Sequence, residues 1–203
     1  MMTPTFTLPS LPRVCRWVNS PVDGRADPPD TLAITAGART DWFRDPAGAD
    51  AKNNAPLALF TPPDDTFLLS AKVAVAFGAT FDAGVLQVYA RDDLWAKLCL
   101  EYSPQRQPMV VSVVTRGLSD DCNGPVIDGP EVYLRIARTS RALAFHYSRD
   151  GTLWHLVRHF SLGPVASVEV GLAAQSPMGQ GCAVRFSEVT YRPGAPVDIR
   201  NGT

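Results

Sequence analysis

The chain has 203 residues, 45% of them hydrophobic and 19% charged, with a formal net charge of -1. This is a globular composition with enough apolar surface for a sizeable core. Its basic residues are scattered, which argues against a surface that tracks nucleic-acid phosphates, and no run approaches the roughly 18 continuous apolar residues of a membrane helix.

In chain order, the opening "MMTPTFTLPSLPRVCRW" carries prolines and no apolar h-region, so it does not read as a secretory signal, and a cytoplasmic location is expected. Strand-length apolar runs then recur: "TLAITA", "TFLLSAKVAVAF", "GVLQVYAR", "LWAKLCLEY", "PMVVSVVTRG", "EVYLRIAR", "RALAFHYS", "LWHLVRHF", "SVEVGLAAQS" and "CAVRFSEVTY". Most alternate, and Gly, Pro, Asp and Asn separate them. The pattern predicts an all-β sandwich or barrel rather than βαβ units. "GADAKNNAPL" reads as a loop, "SRDGTLW" places the tight-turn pair Asp150-Gly151 between two strands, and "FDAGV" puts Asp82 and Gly84 at a turn before another. "RPGAPVDIRNGT" reads as a tail lying along the surface. A single domain over 1–203, with its core at about 17–191, suits this length.

The cysteines Cys15, Cys99, Cys122 and Cys182 lie far apart, without C-x-x-C spacing, and are expected to be free thiols rather than zinc ligands or disulfides. Neither a P-loop nor a dinucleotide fingerprint occurs, so no cofactor is expected. "TRGLSDDCNGP" reads as a loop whose Ser119, Asp120 and Asp121 oxygens suit Ca²⁺ or Mg²⁺. It lacks EF-hand spacing, and a solvated turn is the favoured reading.

Several motifs occur together: "TDWF" at 40–43, "FDAGVLQV" at 81–88, "WAKLCLE" at 95–101, "SVVTRGLSDD" at 112–121, "LRIAR" at 134–138, "YSRDGTLWHLVR" at 147–158 and "GLAAQSP" at 171–177. In this order they resemble a family of uncharacterised bacterial and fungal proteins that includes the regulation-of-enolase type. The resemblance implies the concanavalin-A-like lectin/glucanase fold, a jelly-roll β-sandwich of two antiparallel sheets, one with a concave face. It implies no settled activity, because the same sandwich hosts lectins, hydrolases and interaction domains.

The stretch "LWAKLCLE" at 94–101 bears most directly on function. With period two, Leu94, Ala96, Leu98 and Leu100 form a core side, leaving Trp95, Lys97, Cys99 and Glu101 opposite. Phased alike, Gln87, Tyr89 and Arg91 oppose Leu86, Val88 and Ala90; Tyr133 and Arg135 oppose Val132, Leu134 and Ile136; His146 opposes Phe145. In "VVSVVTR", either Ser112 and Arg116 or Thr115 reach the same side. Such a band of rings, amides and charges on a concave sheet suits carbohydrate, with Trp95 and Tyr89 as stacking platforms. Arg91, Lys97, Gln87 and Glu101 would fix orientation, and an arginine would hold a uronate carboxylate. Asp41 and Trp42 would stand at the rim, although Trp42 equally suits a core plug. The bland alternative is one wet face of an antiparallel sheet.

The expected function is therefore lectin-like binding of a carbohydrate or sugar-like metabolite. An alternative is an enzyme acting on a small carbohydrate, with Glu101 as acid or base and Lys97 tuning it. The Glu-x-Asp-x-x-Glu pattern typical of hydrolases of this fold is absent. Cys99 beside Lys97 offers a reactive thiol as a further option. A protein-interaction domain is the third reading, and an edge strand could pair with its copy in a homodimer. Neither nucleic acid nor membrane is an expected partner.

Overall fold

The computed structural model describes residues 5–203; the first four residues of the N-terminal segment lie outside the described residues. No helix occurs among the described residues, so none is long and apolar enough to cross a membrane. The strands are β1 (Thr5–Phe6), β2 (Cys15–Val18), β3 (Asp23–Asp27), β4 (Thr31–Gly37), β5 (Trp42–Arg44), β6 (Ala51–Asn53), β7 (Leu57–Phe60), β8 (Phe67–Ala76) and β9 (Ala83–Arg91). There follow β10 (Leu94–Tyr102), β11 (Pro108–Arg116), β12 (Leu118–Val126), β13 (Glu131–Arg138), β14 (Leu143–Ser148), β15 (His155–Phe160), β16 (Glu169–Gln175) and β17 (Gly181–Pro193).

Two antiparallel sheets form the β-sandwich expected above. One has eight strands in the order β1-β2-β7-β16-β9-β10-β11-β12, the other seven in the order β15-β14-β13-β8-β17-β4-β3. The alternating runs explain why. Leu86, Val88, Leu94, Ala96, Leu98 and Leu100 of the first sheet face Leu69, Val73, Leu134, Ile136, Phe145 and Phe186 of the second in one continuous core. At Gly84 an added Cβ would come within 2.5 Å of Val73 and 2.6 Å of Val184, so glycine here lets β9 close on the opposite sheet.

The other side of the eight-stranded sheet is not open. The hairpin β5-β6 lies across it, and Trp42, Leu57, Leu59, Val85, Trp95, Cys99, Val111 and Val113 make a second apolar cluster. The side of β10 assigned to a groove floor is thus largely a second core. Two local readings change with it. "TRGLSDDCNGP" is not a loop: β12 pairs antiparallel with β11 from Arg116↔Leu118 to Met109↔Val126, with one irregularity. Main-chain pairing at the sheet edge overrides the weak strand propensity of Asp, Asn and Gly. Within "GADAKNNAPL", Ala51–Asn53 is the short strand β6, held by β5.

Asp150 and Gly151 turn the chain as expected, but within a connection over 149–154 rather than a tight two-residue hairpin. Gly151 has φ 76, and the Asp150 carboxylate accepts the N–H groups of Thr152 and Leu153. The buried Asp82 accepts the N–H groups of Gly78 and Ala79 and the Ser176 hydroxyl, which makes it a turn clamp.

Candidate functional site

Beside the hairpin, on the outer face of the eight-stranded sheet, a pocket of about 140 Å³ opens, lined by Asp41, Phe43, Phe81, Lys97, Glu101, Val113, Asp121 and Gln175. β10 supplies Lys97 and Glu101, β11 Val113, β12 Asp121 and β16 Gln175, while Asp41 and Phe43 come from the hairpin. Pairing register explains the convergence. Lys97 stands opposite Val113, which stands opposite Asp121, so these three alternate onto one face in adjacent strands.

Lys97 is the centre of the site. Its Nζ donates to Gln175 Oε1 at 2.9 Å and to Asp41 Oδ1 at 3.3 Å, and lies 5.9 Å from the Trp95 ring centroid. Its side chain is only 3% exposed. Burial alone would drive the proton off this amine, but the net shift is upward, with the charge and hydrogen bond of Asp41 foremost among the opposing influences. A buried ammonium needs such partners.

Glu101 behaves oppositely. Burial pushes its carboxyl up to about 8; Lys97 pulls it down, and Asp121 and Asp41 push it up again. Glu101 accordingly holds a proton at neutral pH. Burial likewise raises Asp121, offset in part by Lys97, the Cys122 N–H and Arg158. The arrangement is one ammonium and one neutral acid at the mouth of a small pocket with two phenyl walls. That combination can donate and accept hydrogen bonds in fixed directions and can give up a proton.

Phe81 is 36% exposed and has φ 69, a left-handed backbone unusual for a bulky residue. Its N–H bonds the Tyr102 carbonyl at 2.7 Å and its carbonyl accepts from Gln175 Nε2, so both neighbouring strands hold it there.

Of the residues expected at the site, Asp41, Lys97 and Glu101 come together. Trp95 is 0% exposed, Trp42 is 1% exposed, and the two indoles stack edge to face, so neither offers a ring face to a ligand. Trp42 is the plug: it packs on Trp95 and Tyr89 of the sheet, while its Nε1 donates to the Ala55 carbonyl, in the segment leaving the hairpin, at 2.9 Å. Tyr89 packs against Trp42 and donates its hydroxyl to Asp92, leaving the expected platform half-covered. Gln87 is fully buried, and neither its oxygen nor its nitrogen has a partner. Arg91 lies beyond the strand's buried part, paired with Asp93.

Three residues lie elsewhere. Arg116 is on the inter-sheet side and donates to the Ser161 carbonyl; Thr115, the alternative, faces the second core and bonds Ser119. Arg135 and His146 belong to the seven-stranded sheet, where they bond the Gly202 and Ile199 carbonyls of the C-terminal segment. Phasing assigned the side of each strand and was silent on which sheet the strand joined.

Cys99 is fully buried, and burial raises its thiol well above its ordinary value, with Lys97 only a partial offset; the reactive-thiol option fails on this ground. The four cysteines are free. No group of His, Cys, Asp or Glu suited to a metal ion occurs among the described residues.

Gln175, Phe43 and Phe81 were missed. Gln175 follows from the same phasing, since Val170, Leu172 and Ala174 face the main core. Phe81 had no signal, because its exposure comes from a backbone conformation that pairing imposes.

The fold and pocket define a two-sheet antiparallel β-sandwich with a small pocket on the outer side of its eight-stranded sheet. A family model described as protein of unknown function (DUF1349) matches residues 17–194, and the chain belongs to that family. No curated protein matches. Among solved structures, a functionally unknown protein from Saccharomyces cerevisiae is similar at 23% identity and TM-score 0.81, covering 91% of this chain and 97% of that one. The GH43 protein BlXynB from Bacillus licheniformis is similar at 17% identity and TM-score 0.66, covering 81% of this chain and 33% of that one. A xylan beta-1,4-xylosidase from Bacillus halodurans C-125 is similar at 13% identity and TM-score 0.62, covering 80% and 32%. The chain thus spans about a third of the length of these two enzymes. These identities speak to the fold alone.

Proposed function

We propose that the chain is a ligand-binding protein that takes a single sugar ring, or a sugar-like metabolite, in the pocket between β10 and the β5-β6 hairpin. The observation that carries this is the fixed ammonium of Lys97 beside the protonated Glu101, with Phe81 presented at the mouth. Hydroxyls of a pyranose match Asp41, Gln175 and Glu101, and its C-H face matches a phenyl ring. A pocket of about 140 Å³ is smaller than the about 300 Å³ at which ordinary small-molecule sites begin, which favours one ring or a chain end over an oligosaccharide. The like sandwich in a xylan beta-1,4-xylosidase is in keeping with this reading.

The test is a thermal-shift screen of the protein against mono- and oligosaccharides, repeated with Phe81→Ala and Glu101→Gln. A ligand that binds only the folded state raises the melting point by mass action. A monosaccharide shift that Phe81→Ala abolishes is expected. A shift that both variants retain overturns the site. If no compound shifts the protein, the weight moves to a protein partner.

The raised Glu101 carboxyl favours a second reading, an enzyme in which it acts as general acid on a small carbohydrate. Glu101→Gln should then abolish turnover while leaving folding intact, and retained turnover removes this reading.

A further inference from the structure

A different cavity, of about 200 Å³, lies on the outer face of the seven-stranded sheet, remote from the pocket above. Its lining includes Arg135, Arg192, Tyr133, Glu188, Ser70 and Thr190. Two guanidiniums line it, Arg135 from β13 and Arg192 from β17. Neither Arg135 nor Arg192 takes part in an ion pair among the described residues, although eight other basic side chains do. Arg135 is held rigidly. It donates to the Gly202 carbonyl at 2.7 Å and its guanidinium carbon lies 3.5 Å from the Trp154 ring centroid. Its Nε is buried without an acceptor. Burial and the neighbouring Arg192 both press it to lose its proton, bringing it down to about 10. Neither guanidinium thus has an ion-paired carboxylate, although Glu188 lines the same cavity.

Beside them the lining carries acceptors and hydroxyls, with Ser70 directly opposite Arg135 and Thr190 opposite Ser70 in the strand register. Ser70 Oγ and Thr190 Oγ1 lie 2.8 Å apart, and Tyr133 donates its hydroxyl to Glu188 at 3.0 Å. Glu188 sits where the β17 register shifts, with φ 52, and such an irregularity re-aims a side chain out of the strand's alternation. Arginine pairs hold a carboxylate through parallel N–H donors, and a carboxylate with two hydroxyls holds the O–H groups of a polyol.

We propose that this cavity binds a hydroxylated carboxylate, a sugar acid of uronate or aldonate type, with its carboxylate on Arg135 and Arg192 and its hydroxyls on Glu188, Ser70 and Thr190. The site is independent of the pocket between β10 and the hairpin, and uncharged sugars bound there would not depend on it.

The experiment is titration of methyl-labelled protein with D-glucuronate, D-gluconate, D-glucose and inorganic phosphate, following the methyl signals of Leu68, which lines this cavity, and Val113, which lines the other. Glucuronate or gluconate should move Leu68 at concentrations at least tenfold below those needed for glucose or phosphate, and the better of the two shows whether the ring or the open chain is preferred. Arg192→Gln, an exposed substitution that leaves the sheet intact, should weaken this response at least tenfold. Movement of Val113 instead of Leu68, an equal response to phosphate, or unchanged binding in Arg192→Gln would each overturn the proposal.

Discussion

The indole of Trp42 stands edge-on to that of Trp95, with ring centroids 6.1 Å apart and planes at 82°. Because Tyr89 also meets Trp42, at 5.8 Å and 78°, one residue of a two-stranded hairpin seals part of the outer face of the eight-stranded sheet. Trp42→Ala removes that seal. Truncating a buried aromatic costs about 3–5 kcal/mol, so the urea midpoint should fall accordingly and the native tryptophan emission should shift to the red as Trp95 meets water. An unshifted emission would mean that the hairpin stays seated without its anchor.

Glu101 makes stability depend on pH in a defined window. Its folded value of about 8 lies above its ordinary value of 4.5, so between these two the folded chain binds the extra proton. Stability must then fall as pH rises through that range and level off above about 8. Glu101→Gln lacks this loss. The difference in unfolding free energy, variant minus parent, should climb from about pH 5 to 8 and then flatten. A flat difference throughout would place the Glu101 carboxyl in water.

Lys97 holds this cluster together electrically. Lys97→Met leaves Asp41, Glu101 and Asp121 facing one another without a cation, and breaking a buried pair on one side costs about 3–5 kcal/mol. Because Lys97 pulls the Glu101 carboxyl down, its loss should also raise the Glu101 midpoint beyond about 8, as read from the carboxyl carbon shift in a pH titration. A lowered midpoint would contradict the charge assignment.

Gln87 carries a fully buried amide without a partner, one pleat across from Lys97. An unsatisfied buried polar group costs about 1–3 kcal/mol, whereas an apolar side chain of similar size carries no such penalty. Gln87→Leu should therefore stabilise the protein by about 1 kcal/mol or more in urea unfolding. Destabilisation would show that a bridging water already satisfies the amide.

Residue patterning alone determined the strands and their inner faces. The period-two runs at 84–91, 94–101 and 131–138 bury the sides they indicate, because alternation is a property of the single strand and needs no knowledge of neighbours. It also brought Lys97 and Glu101 to one side of one strand, and with them part of the pocket. Only the tertiary structure decided what covers that side. Trp42 and Trp95 are 53 positions apart in sequence, and a tryptophan facing away from the main core looks the same whether solvent or a hairpin meets it. Sheet membership was equally out of reach: Arg135 and His146 have the same outward phase as Lys97 but sit on the other sheet, because strand order is set by long-range pairing. The raised Glu101 carboxyl depends on the same thing, since burial and the approach of Asp41 and Asp121 from other strands exist only once the sheets have closed.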